Sequence, residues 1–484
     1  MCRKLIVVIS LFFFMNTLAQ QQYYLKKGAI TDGLAIVNDS LQETYAVYLP
    51  TKYSVENPPG ILIVLNEKGK GREVVSYLKK IAEEQNYVIA ATNTPLKTDN
   101  VEKNVLQNIR FVNSVLTTIN IDPKQVFIAG KGKGAISAIF LTQLNFPIAG
   151  ILPINRAWIN SKTKLTESFI GFSAVVGSRD YERDLVGDVA EFYEDKDKVS
   201  SITLFNGGPN AWPDLTSLYN ATSTLTMAAM QANMRKKDTI LLDTFFKSDV
   251  KAVHQLKNEK AYYLAWEQFQ NMEAKYEHYN DRFKDKLKQL KRELRKNKGV
   301  RKQRRSYYNV SEEEEFKKND FLSFLEMDVL EANFDNISWW ASQVNELETK
   351  KDSTDQVQAN MAYRLLDYLD ALSKTKFLDI KNSNFTIDNK IFTSIIRTLV
   401  KPKDPEPYFE IIKLAGHDGD YQTALLYMED LLKTGFSDFH ELYKVEGILD
   451  LQMGNEFNQL IKKYGGEPKY SILNISEEEK VDEE

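Results

Sequence analysis

The sequence predicts a mostly parallel α/β sheet followed by an all-α region of similar size, and three observations carry that prediction. Residues 28–213 alternate short β-branched runs with amphipathic segments. Strand-like runs cease after about residue 215, and from there the apolar residues recur at helical spacing almost to the end. Alternation of the βαβ kind implies parallel strands with helices on both faces.

Taken in order, Leu34 to Val37 and Thr44 to Leu49 read as two strands joined by the turn-forming Asn38-Asp39-Ser40. Ile61 to Leu65 is a wholly apolar run, as expected of a strand buried on both faces. Glu73 to Gln85 is an amphipathic helix, Tyr87 to Ala91 a buried strand and Val101 to Ile119 a helix. Gln125 to Ala129 is a strand that stops at glycines, and Gly134 to Leu144 is helical. Ile148 to Ile154, Phe169 to Val176 and Ser201 to Phe205 are further strands.

In the second half, Tyr262, Trp266, Phe269 and Met272 mark one helix face; Phe321, Phe324, Met327, Leu330 and Phe334 mark another. Residues 282–305 hold thirteen Lys/Arg and two acidic residues, followed by Glu312 to Glu315. This reads as a solvated helical hairpin whose basic arm faces its own acidic cluster, because almost no aromatic residues interleave the run as nucleic-acid stacking requires.

The 484 residues carry 63 Lys+Arg against 67 Asp+Glu, a formal net charge of -4 that gives no overall reason to bind nucleic acid. Hydrophobic residues reach 43%, enough for real cores and too many for a disordered chain. Cys2 is the one cysteine and His254, His278, His417 and His440 are the four histidines, so a disulfide framework or cysteine-based zinc site within one chain is excluded. No metal or cofactor is implied. Arg3-Lys4, the mostly apolar run Leu5 to Met15 and the exit Asn16-Thr17-Leu18-Ala19 have the layout of a secretory signal peptide with cleavage near Ala19-Gln20. The mature chain is therefore expected to be exported and cysteine-free, with no transmembrane segment, and to be periplasmic, outer-membrane-associated or secreted.

The stretches Glu43 to Pro50, Ile61 to Leu65 and Gln125 to Gly134 together resemble the esterase/polyhydroxybutyrate-depolymerase branch of the α/β-hydrolases, over less than half of the chain. In that family a strand ends in G-x-S-x-G, a tight turn that presents the nucleophilic serine. Here the turn reads Gly130-Lys131-Gly132-Lys133-Gly134, with Gly132 at the serine position. The resemblance places the acid at Asp180, in Gly177-Ser178-Arg179-Asp180. It places the histidine in a G-G-H-x-W-P-like loop that here reads Gly207-Gly208-Pro209-Asn210-Ala211-Trp212-Pro213. The vestigial positions are thus Gly132, Asp180, Pro209 and Asn210, and no catalytic residue is assigned. What the resemblance implies is a non-catalytic pseudo-hydrolase. The alternative is an active esterase using a non-standard constellation, such as Asp180 with His254.

Lys68, Lys70, Arg72, Lys131 and Lys133 lie on two glycine loops that follow two strands, a candidate anion-binding set; neither loop is a Walker A motif. Near the end, Tyr408 to Ala415 and Tyr421 to Leu432 flank Gly416 to Asp420. The spacing Gly419, Tyr421, Ala424, then Gly435-Phe436 and a last helix through Phe457, resembles a tetratricopeptide helix pair and its closing tail. That resemblance implies a protein partner. His417, in the turn, is expected to face solvent. The expected organisation is a signal peptide at 1–19, an α/β-hydrolase-like domain at 20–215, a helical tetratricopeptide-like domain at 216–466 and an acidic tail at 467–484.

Overall fold

The computed structural model describes residues 25–37, 42–144, 146–159 and 163–470. The expected signal peptide with Cys2, the Asn38-Asp39-Ser40 turn and most of the acidic tail lie outside the described residues. The chain forms two compact units, one ending at Val300 and the other beginning at Arg301.

In the first unit the order is β1 (Ile30–Ala35), β2 (Thr44–Tyr48), β3 (Gly60–Asn66), α1 (Gly71–Gln85), β4 (Tyr87–Thr92), α2 (Val101–Thr118), β5 (Val126–Lys131) and α3 (Lys133–Leu141). Then come β6 (Ile148–Ile154), β7 (Gly171–Gly177), α4 (Arg183–Glu194) and β8 (Val199–Phe205). The eight strands form one sheet in the order β1-β2-β4-β3-β5-β6-β7-β8. β2 runs antiparallel to both neighbours and the pairs from β4 through β8 are parallel. The mostly parallel sheet read from the sequence is therefore present, and every residue of β3 through β7 is buried, which is why those strands lack polar alternation. Helix α4, between β7 and β8, is not marked in the sequence reading; it buries Val186, Val189 and Tyr193.

Four more helices complete this unit: α5 (Leu215–Gln231), α6 (Thr239–Asn258), α7 (Tyr262–Lys275) and α8 (Asn280–Lys296). Asp214 caps α5 through Ser217 N and Asp238 caps α6 through Ile240 and Leu241 N, which fixes where each helix starts. One apolar layer joins α1 residues Val74, Leu78 and Ile81 to Leu218, Leu225, Phe245, Phe246, Phe269 and Met272. A second layer joins Phe111, Val112 and Val115 of α2 to Ile139 of α3 and Val186 and Val189 of α4. The sheet thus has a helical cover on each face, and α5–α8 share the first unit's core. The division expected near residue 215 marks the end of the strands; the compact units divide later, at Val300. The buried pair Lys275–Asp249, 2.8 Å apart, lies between α6 and α7.

Helix α9 (Lys298–Glu331) carries the chain into the second unit, followed by α10 (Ile337–Lys350), α11 (Gln356–Lys381), α12 (Ile387–Val400), α13 (Pro405–His417) and α14 (Tyr421–Lys433). Three short helices close it: α15 (Phe439–Leu442), α16 (Leu449–Met453) and α17 (Asn455–Lys463). The apolar face expected on α9 is only partly the buried one. Phe321 is buried with Leu325 and Val329, whereas Met327 is 57% and Leu330 65% exposed. The buried stripe also holds two carboxylates, Glu314, salt-bridged to Arg364, and Asp328, which accepts from Trp340 Nε1 at 2.8 Å. In the basic run Lys291 pairs with Glu273 and Arg282 with Asp243, and in the acidic run Glu313 pairs with Lys350.

Helices α13 and α14 pack around fully buried Ala424, with Gly419 (φ 82°) in the turn between them. Gly416 lies so close to Ile448 that a Cβ there would crowd its Cγ2 at 2.7 Å, which brings the closing segment against α13. His417, the last residue of α13, is exposed.

Candidate functional site

In open parallel sheets, ligands sit beyond the carboxyl ends of the strands. The register brings five such ends to one edge: Asn66 of β3 pairs with Lys131 of β5, Lys131 with Ile154 of β6, and Gly177 of β7 with Phe205 of β8. Gly132, Asp180, Pro209 and Asn210 lie just beyond these ends.

The central turn is Gly130 to Gly134. A Cβ on Gly134 would overlap the carbonyl oxygen of Leu65, and one on Gly130 would overlap the backbone of Gly134, so both glycines let α3 lie directly on the sheet. Gly132 has φ 59° and ψ -125°, a conformation a side chain adopts only under strain. Its missing side chain leaves a space, and that space is filled. The Glu67 carboxylate occupies the position a Cβ on Gly132 would need, and Glu67 Oε2 accepts a hydrogen bond from the Lys133 N–H at 3.2 Å. Leu96 N donates to the Glu67 backbone oxygen at 2.8 Å and fixes the loop from which this side chain reaches.

Lys131 is 3% exposed, and its Nζ donates to Asn210 O at 3.5 Å. Burial lowers its pKa, opposed by the charges of Glu67 and Asp180. Asp180 is buried in the turn after β7, where its Oδ1 accepts from Glu182 N at 3.0 Å. Next to it, burial raises the Glu182 pKa, against the pull of Arg156, whose Nε lies 3.3 Å from its carboxylate. Burial, followed by the Glu182 charge, pushes the Tyr181 hydroxyl up to about 12. The loop with Pro209 and Asn210 is held by Asn155, whose Nδ2 donates to Pro209 O at 2.8 Å while Gly177 N donates to its Oδ1 at 3.0 Å.

Three of the five cations proposed for an anion have carboxylate partners. Lys70 pairs with Glu73 at 3.3 Å, Arg72 with Asp32 at 3.7 Å, and the Lys133 side chain with Asp99 at 2.6 Å. Lys68 is exposed, and its charge is one of those that act on Lys131. His254, the candidate substitute base, sits on α6 with Nδ1 3.9 Å from Glu293. Among the described residues, no group of three or more His, Cys, Asp or Glu side chains is arranged to hold a metal ion, and no helix is long and apolar enough to cross a membrane.

Beside the turn, a cleft of about 230 Å3 is lined by Asn66, Lys70, Glu73, Val74, Tyr77 and Trp212. Tyr77 Oη donates to Pro213 O at 2.9 Å and ties the Trp212 loop to α1.

No protein-family profile matches this chain, and no curated protein does. Solved structures similar to it include a fluorophosphonate-binding serine hydrolase of Staphylococcus aureus, 14% identical with a TM-score of 0.32, covering 42% of this chain and 99% of that one. The S-formylglutathione hydrolase of the same organism is 12% identical with a TM-score of 0.31, covering 43% and 98%. Esterase 2 of Thermogutta terrifontis is 10% identical with a TM-score of 0.35, covering 45% and 98%.

Sequence reasoning identified the turn and the two loops but not Glu67, Asn155 or Tyr77. Asn155 carried a signal, since an asparagine directly after a strand suits a left-handed backbone and has φ 64° here. Glu67 carried none, because its role depends on a contact across 66 positions of sequence.

Proposed function

We propose that this chain is an exported, non-catalytic pseudo-hydrolase, a scaffold or ligand-binding module joined to a helical domain that binds a protein partner. One observation carries the reading: the Glu67 carboxylate lies where a nucleophile's side chain would begin and takes the Lys133 N–H that would otherwise face a developing oxyanion. Loss of a serine nucleophile alone lowers kcat on the order of a millionfold in a serine protease. The residual rate there rests on free oxyanion donors, and here one such donor is engaged. The tetratricopeptide-like reading of the second unit is supported by the α13–α14 pair around Ala424 and the three short closing helices. Partner binding is supported by the exposed Phe316, Met327 and Leu330 on α9.

The purified mature protein is expected to leave short p-nitrophenyl acyl esters unhydrolysed above buffer, with Asp180→Ala unchanged. Turnover that Asp180→Ala abolishes would overturn the reading. An external anion at the turn has to displace Glu67, so Glu67→Ala is expected to bind sulfate more tightly than the wild type in calorimetry at low salt. Equal, undetectable heats in both proteins would remove the anion site from the proposal. Export is checked by the mass of the secreted chain, expected to start near Gln20.

A further inference from the structure

We infer that helix α9 pairs with the α9 of a second copy of this chain, antiparallel and about a two-fold axis at Phe316. The inference deepens the partner-binding part of the proposed function by naming the partner, and it rests on the second unit alone.

Steps of three and four residues along a helix mark one face. On α9 such steps join Arg305, Glu312, Phe316, Ser323, Met327 and Leu330, and all six are exposed. Three of them are large and apolar: Phe316 is 71%, Met327 57% and Leu330 65% exposed. The opposite face of the helix buries Val310, Phe321, Leu325 and Val329, so the exposed three are not an extension of the unit's core. Their burial against a partner is favourable.

Charge selects the partner and its direction. Arg301, Lys302 and Arg305 precede Phe316 by about as many residues as Glu326 and Glu331 follow it. None of these five forms an ion pair among the described residues, whereas Lys317 pairs with Glu346 and Glu313 with Lys350. A helix with this distribution is complementary to itself turned end for end. An antiparallel copy sets the cations of each chain beside the carboxylates of the other, twice, with the two Phe316 rings between them. A parallel copy sets like charges side by side along the whole length. Glu312 and Asp320 meet across the axis as like charges, which keeps the pair reversible and not obligate.

The test is sedimentation velocity on the full chain from micromolar to submillimolar concentration. A concentration-dependent dimer is expected, weakened about tenfold or more in Phe316→Asp, whose exposed position leaves the circular dichroism spectrum that of the wild type. Arg305→Glu and Glu326→Lys are each expected to dimerise more weakly than the wild type. An equimolar mixture of the two is expected to recover the dimer, because each contact then holds one cation and one carboxylate. Direction is read by oxidative cross-linking in a Cys2→Ser background. Phe316→Cys, on the axis, is expected to form a covalent dimer. Leu330→Cys is expected to stay unlinked, since its two copies stand about 40 Å apart at a helical rise of about 1.5 Å per residue. The inference is overturned by a chain that stays monomeric throughout, by a dimer that Phe316→Asp leaves intact, by a mixture no tighter than its components, or by Leu330→Cys linking as readily as Phe316→Cys. A monomer leaves the non-catalytic reading and a different protein partner standing, and ester turnover overturns that reading without touching α9.

Discussion

Asp249→Ala is expected to destabilise the first unit by about 3–5 kcal/mol, because it strands a buried cation. Asp249 is 1% exposed and accepts from Lys275 Nζ at 2.8 Å, Tyr276 Oη at 2.8 Å and Gln268 Nε2 at 3.2 Å. The remaining partners of the Lys275 ammonium, Asn220 O and Ser223 Oγ, are neutral. Burial already lowers the Lys275 pKa, and the Asp249 charge is the main influence opposing it. Urea titration checks the effect as a lower midpoint at an unchanged slope. The double variant Asp249→Leu/Lys275→Met is expected to recover most of the loss, since an apolar pair has no stranded charge. A single variant within about 1 kcal/mol of the wild type, the scale of a surface pair, would show that water reaches Lys275.

Gly134→Ala is expected to cost about 3 kcal/mol by overpacking. The added methyl would overlap the Leu65 carbonyl oxygen, a backbone atom inside the sheet that cannot swing aside. The neighbouring Gly132→Ser meets a different obstacle. Its Cβ would overlap the end of the flexible Glu67 side chain, which can move, and the remaining penalty is backbone strain of about 1–3 kcal/mol. Thermal melts of the two variants should therefore separate, with Gly134→Ala the lower. Equal melting temperatures would mean that α3 can lift from the sheet.

The strands were legible because burial on both faces leaves unbroken apolar runs, as in Ile61 to Leu65 and Ile148 to Ile154. The turn at Gly132 was legible because glycines at fixed spacing answer a local backbone demand. What stayed hidden depends on distant partners. On α9, the buried stripe includes Glu314 and Asp328 because Arg364 and Trp340 reach them from other helices, so a hydrophobic pattern alone selects the wrong face. The filling of the Gly132 space by Glu67 is hidden for the same reason: spacing shows that a side chain is missing and not what replaces it.

The occupied turn bears on how readily substitutions could install serine-hydrolase chemistry at this edge of the sheet. A serine at 132 alone would have to push Glu67 aside and would find proline and asparagine, not an imidazole, at 209 and 210. Installing it needs a hydroxyl, a vacated carboxylate pocket and a base, and no one of these helps without the others. Under the proposed non-catalytic reading, drift by single substitutions has no graded route to that chemistry, and the surrounding loops would be released from the demands of a reacting centre. The loops can vary to suit whatever the cleft beside them holds.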